Sequence, residues 1–177
     1  MIDDPATEER LAFVYPKIVS AWKALRDEFF EINEMQLKVT QGFRTYAEQW
    51  GLFAQGRKKD QKGSWNITDK KKIVTYARGG ESYHNFGLAL DCAFMGEDPY
   101  LCNLPQDDQK FLWSEYGRLA LKHGLDWGGN WKLPDKPHLQ NTYGFSLVDL
   151  QIIYEDQGIK GIFDQLNRIM ECGKRLT

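Results

Sequence analysis

Apolar residues recur at three- and four-residue steps through the first thirty positions, at Leu11, Val14, Ile18, Trp22, Leu25 and Phe29. That spacing lines one face of a helix, and Asp4 followed by Pro5 supplies an N-cap and a first helical residue. The pattern predicts one amphipathic helix bent at Pro16. Leu37, Val39 and Gln41 then alternate as a short strand that breaks at Gly42. Thr45 is placed to cap a second helix carrying Tyr46, Trp50, Leu52 and Phe53 and ending near Gly56. Arg57 to Lys72 holds six Lys and one Arg among Asp60, Gly63, Ser64, Asn66 and Asp69. A mobile, solvated surface loop is the reading there, with a patch that meets an anionic polymer such as a teichoic acid as the sharper one.

Leu88 to Phe94 is an apolar run interrupted only by Asp91, which predicts a buried strand that keeps one carboxylate. Gln106 to His123 reads as a helix closed by Gly124, and short strands are expected at Leu125 to Trp127 and His138 to Gln140. From Ser146 onward, Leu147, Leu150, Ile153, Ile162, Phe163, Leu166 and Ile169 predict two short helices hinged at Gly158 or Gly161. No internal repeat or low-complexity segment interrupts this order.

The 177 residues amount to one domain with, at most, a short appendage. With 42% hydrophobic and 27% charged residues the composition excludes collagenous, disordered and coiled-coil classes. A net charge of -2 supplies no global basic field, so nucleic acid is not an expected partner. Cys92, Cys102 and Cys172 are odd in number and form no C-x-x-C pair, which argues against a disulfide scaffold or a cysteine metal site. The acidic stretch Met1 to Arg10 is unlike a secretory leader and no segment is apolar enough for a membrane span. Cytoplasmic synthesis without membrane insertion is therefore expected, with monomer as the default state.

The chemistry concentrates at two of the three histidines. His84 and Asp91 are seven residues apart, which is about 10 Å along a helix axis and too far for two short side chains to share an ion at about 2 Å each. An unbroken strand also fails, because an odd spacing points them to opposite faces. A turn at His84 before Gly87, with Asp91 on the following strand, brings both toward one point. The second cluster is Asp135-Lys136-Pro137-His138, in which Pro137 forces an extended entry. Zinc hydrolases use three protein ligands, leave the fourth position to water and employ a separate carboxylate as base. His84, Asp91 and His138 fill the ligand roles and Asp135 that of the base. His123 is explained by a helix C-terminus, Cys92 should face the apolar side, and Trp127 and Trp131 should form core or cleft walls.

These segments resemble the VanY and D-Ala-D-Ala metallopeptidase (M15) family, and within it the L-alanyl-D-glutamate endopeptidases found among phage endolysins. The likeness is carried by Gly42-Phe43-Arg44-Thr45, Glu48-Gln49, Ala54-Gln55-Gly56-Arg57, Val74-Thr75 and Gly79 through Asp91. It resumes at Gly124 to Gly129 and closes with Asp135 to Gln140. The resemblance implies an α+β fold of the hedgehog/D-Ala-D-Ala peptidase type, in which a small antiparallel sheet holds the site and helices pack behind it. It implies a zinc peptidase domain over residues 1–140 with a short helical extension over 141–177. One Zn2+ on His84, Asp91 and His138 is implied, with Asp135 as general base. Arg44 matches a substrate-facing arginine able to stabilise the oxyanion or pair with a carboxylate, and Ser82 matches a substrate-contacting hydroxyl. The implied activity is hydrolysis of the L-Ala-D-Glu bond of the peptidoglycan stem peptide, on the wall after holin-type release. A D,D-carboxypeptidase or dipeptidase releasing D-Ala is the alternative within enzymes, and a non-catalytic wall-binding module of the same fold the alternative outside them.

Overall fold

The computed structural model describes residues 4–174. In chain order the elements are α1 (Pro5–Leu11), α2 (Pro16–Asn33), β1 (Leu37–Gln41), α3 (Tyr46–Ala54), β2 (Arg57–Lys59), β3 (Trp65–Ile67), β4 (Ala89–Phe94), α4 (Gln106–Lys122), β5 (Asp126–Trp127), β6 (His138–Gln140) and α5 (Leu147–Lys174). They divide into two compact units, one of Met1–Phe43 with Gly87–Gly144 and one of Arg44–Phe86 with Phe145–Thr177. The class is α+β, as expected, with a small antiparallel sheet and helices.

In the first unit four strands pair in the order β1-β4-β6-β5, all antiparallel. Alternation along β4 separates two faces. Leu90, Cys92 and Phe94 meet the helices: the Phe94 ring lies 5.8 Å from Phe29 on α2 and 4.9 Å from Trp113 on α4. Trp22, Leu25, Phe29, Tyr116 and Leu119 are fully buried in this core. Ala89, Asp91 and Ala93 point to the other face. The Cys92 thiol sits on the apolar side as expected, where burial pushes it up to about 12, so it is an inert packing group.

The expected single helix through Pro16 is two helices. Pro16 lacks an N–H and biases the preceding residue away from the helical region, so Tyr15 is extended (ψ 129°) and donates its own N–H to Gly87 O at 2.8 Å. The chain stops and restarts there. The separated α1 covers the sheet edge: Thr7 Oγ1 accepts from Val39 N at 2.9 Å, and Arg10 donates to Val39 O at 2.8 Å. Those backbone groups of the edge strand are therefore not left bare. A Cβ on Gly42 would fall 1.8 Å from the Arg10 carbonyl oxygen, so only glycine admits this approach.

In the second unit Thr45 and Glu48 form a reciprocal capping box at the start of α3, as the sequence anticipates for Thr45. The basic segment is not a loop but the β2–β3 hairpin followed by a 3-10 turn at Lys70–Lys72. Cross-chain aromatic packing explains the difference: Trp65 stacks on Trp50 at 6.3 Å and sets its edge against Phe53, while Arg57 lies over the Phe53 ring. Those contacts order a stretch whose composition alone reads as solvated. Tyr46 stacks on Tyr154 of α5 at 5.0 Å, with Phe86 edge-on to both. The α5 segment breaks at Gly158, where φ 64° and ψ -165° are non-helical, one of the two expected hinge positions.

Candidate metal and catalytic site

Antiparallel pairing of β4 with β6 sets Asp91 directly opposite His138. Their side chains share one face and meet, with His138 Nδ1 3.1 Å from Asp91 Oδ1. His138 is 6% exposed, and its other nitrogen, Nε2, lies 3.0 Å from Gln140 Oε1. Burial by itself would lower the His138 pKa. The hydrogen bond and charge of Asp91, helped by Gln140 and the charge of Asp135, outweigh that and raise it above its ordinary value.

His84 is in the 3-10 turn Tyr83–Phe86 and is 3% exposed. The turn is tied to the head of α3: Arg44 N donates to His84 O at 3.0 Å, and Asn85 Nδ2 donates to Arg44 O at 2.8 Å. Asn85, fully buried, also accepts from Gly80 N at 3.0 Å. Among the described residues, His84, Asp91 and His138 form a group that could hold a metal ion, each offering one ligand atom with all of these atoms within 4.8 Å of one another. Two imidazoles and one carboxylate are borderline nitrogen and oxygen donors, the set that suits zinc with a fourth position left for water.

Asp135 is exposed on the loop before β6. Its N–H donates to Gly128 O at 2.9 Å and its carbonyl accepts from His138 N at 3.2 Å. The rest of the loop is pinned by Trp127 Nε1 donating to Lys136 O at 2.7 Å and by Cys92 N and Tyr116 Oη donating to Pro137 O. Trp127 is thus a wall beneath the loop, and Trp131 sets its ring 4.9 Å from that of His138. His123 caps α4 and reaches Glu28 at 2.9 Å, away from this chemistry.

Arg44 is half-buried, and its Nη1 donates to Gln49 Oε1 at 2.8 Å. Gln49, fully buried, is itself held by donating to Ala77 O at 2.8 Å. Ser82 heads the His84 turn, its carbonyl accepting from Asn85 N at 2.9 Å. Sequence reasoning passed over Gln49, Asn85, Gly128 and Gln140 as supports. Each lies within the segments that carry the family resemblance, but an amide or a glycine carries no chemistry of its own, and only the folded contacts reveal what it holds.

Residues 75–141, which carry His84, Asp91, Asp135 and His138, match the M15 peptidase family model described as D-alanyl-D-alanine carboxypeptidase. The likeness is confined to that segment, which is less than half of the chain. A relative in Bacillus subtilis (strain 168), the peptidoglycan L-alanyl-D-glutamate endopeptidase CwlK, is 43% identical over 107 residues, 58% of this chain and 58% of its own length. The chain thus matches little more than half the length of that relative. The crystal structure of Serratia marcescens L-Ala D-Glu endopeptidase ChiX is similar at 23% identity and a TM-score of 0.46, covering 77% of this chain and 86% of that one.

Proposed function

We propose that the protein is a zinc-dependent peptidoglycan endopeptidase that hydrolyses the L-Ala-D-Glu bond of the stem peptide. The observation that carries the metal part is the His84, Asp91 and His138 cluster, with ligand atoms within 4.8 Å of one another. The bond assignment is supported by the 43% identity to an enzyme named for that cleavage. A zinc ion held by these residues would act as a Lewis acid and lower the pKa of a bound water toward about 7. The chain's own residues supply the remaining steps. The Asp135 carboxylate takes the proton of the attacking water and passes it to the departing amine of D-Glu, a role worth about 10²–10⁴-fold in rate. Arg44, oriented by Gln49, offers its guanidinium to the developing oxyanion or to a substrate carboxylate. Ser82 contacts the peptide beside it. The cellular role that goes with this reading is that of a phage-type lysin acting on the wall, which rests on the sequence resemblance.

The test is digestion of purified peptidoglycan by wild type and Asp135→Asn, each assayed for bound zinc, with mass spectrometry of the fragments. New N-terminal D-Glu from wild type, with zinc retained but cleavage lost in the variant, supports the proposal. The family model's description favours a second reading, D,D-carboxypeptidase, for which release of free D-Ala would speak. Zinc-loaded wild type that cuts neither bond would refute both and favour a binding module.

A further inference from the structure

His138 has two ring nitrogens and each has a distinct neighbour. Nδ1 faces Oδ1 of Asp91, itself a candidate ligand, at 3.1 Å, and Nε2 faces Gln140 Oε1 at 3.0 Å. A neutral imidazole that gives a lone pair to a metal through one nitrogen carries its proton on the other, and that proton needs an acceptor. The amide oxygen of Gln140 is placed to serve, and of that amide's two ends it is the one that can, since the NH₂ group has no lone pair to offer. With Nε2–H donating to Gln140, the Nδ1 lone pair points to the Asp91 side.

The backbone makes this arrangement rigid. Gln140 follows His138 by two residues on β6, so both side chains emerge on one face. β6 is an inner strand, and Gln140 is paired with Ala89 on one side and Asp126 on the other. The acceptor is therefore carried by a strand anchored from both flanks.

We propose that Gln140 is the positioning residue that selects the Nε2–H form of His138 and thereby sets the site's affinity for zinc. The proposal rests on the metal reading above. Gln140 touches neither substrate nor metal, and it works through the imidazole alone. A neutral amide in this place holds the ring with less electron donation than a carboxylate would, so Gln140→Glu keeps the function and Gln140→Leu removes it.

The test measures zinc affinity by competition with a chromophoric chelator for wild type, Gln140→Leu and Gln140→Glu, together with ¹⁵N NMR of the histidine rings in the zinc-loaded wild type. Loss of about 10–100-fold in affinity is expected for Gln140→Leu, with Gln140→Glu within about threefold of wild type or tighter. The NMR should show His138 protonated at Nε2 and coordinated through Nδ1. Unchanged affinity in Gln140→Leu, equal losses in both variants, or a zinc-bound His138 protonated at Nδ1 would overturn the proposal. The NMR result stands on wild type, so it decides even if a variant folds poorly. Folded wild type that takes up no zinc would refute the metal reading itself, and this proposal with it.

Discussion

Gly128 is buried at the start of a 3-10 turn, and its carbonyl accepts hydrogen bonds from Asp135 N and Trp131 N. A Cβ added there would lie 2.5 Å from the Asp135 carbonyl oxygen, 3.1 Å from His138 Cβ and 3.3 Å from Asp135 Cβ. To reach ordinary van der Waals contact at 3.4 Å, the Asp135 carbonyl must retreat by about 0.9 Å. The same carbonyl already accepts from His138 N at 3.2 Å, so an outward shift of that size breaks the bond that locks the proposed base to the proposed ligand. Gly128 is not among the glycines with positive φ, so the cost is steric crowding and not backbone strain. Overpacking of this kind costs about 1–3 kcal/mol. For a chain of this length that lowers the Tm by about 2–12 °C. A shift near 1 Å in a catalytic group lowers the rate by about 10²-fold. Gly128→Ala, loaded with zinc and assayed on a soluble muropeptide alongside thermal unfolding, should show both losses. Activity within about threefold of wild type at an unchanged Tm would refute the idea that this contact places Asp135.

Three further outcomes follow from the packing and charge of the molecule. Gly51 is exposed within α3, and a methyl added there would meet nothing within 4 Å. Gly51→Ala should therefore gain up to about 1 kcal/mol in chemical denaturation, since glycine is a poor helix former. Leu139 lies opposite Leu90 between β6 and β4, both fully buried, so Leu139→Ala should lose about 2–5 kcal/mol in the same measurement. Glu28 on α2 is held below its ordinary pKa of 4.5 by hydrogen bonds from Lys122 and His123. A carboxylate depressed in the folded state adds stability above its unfolded pKa and loses it as the pH falls through the lower folded value. The difference in stability between wild type and Glu28→Gln should thus be present at pH 6 and fade below 4.5. A difference that grows on acidification would show that the group is not the one titrating.

What could be read from the chain depended on how local the physics was. The α3 cap follows from Thr45 and Glu48 within four residues, and the α5 break follows from a glycine free to take a positive φ. The run from Leu11 to Phe29 kept its helical spacing across Pro16, so periodicity alone predicted continuity. The missing N–H and the bond from Tyr15 to Gly87 ended it. The hairpin at 57–67 has strands of three residues each, too short for alternation to register, and its order comes from Trp50, outside the segment.

The residue types in the two histidine clusters, and their odd spacing, were enough to nominate His84, Asp91, Asp135 and His138 from the sequence, because few combinations of imidazole and carboxylate serve hydrolysis. Which atoms meet was a matter of topology. Residues 91 and 138 are distant along the chain and become neighbours only because β6 pairs with β4 in one register, and a slip by one residue would turn His138 into the core. The supports Gln49, Asn85, Gly128 and Gln140 were decided by the tertiary structure alone, since a hydrogen-bond acceptor or a missing Cβ acquires meaning only from what packs against it.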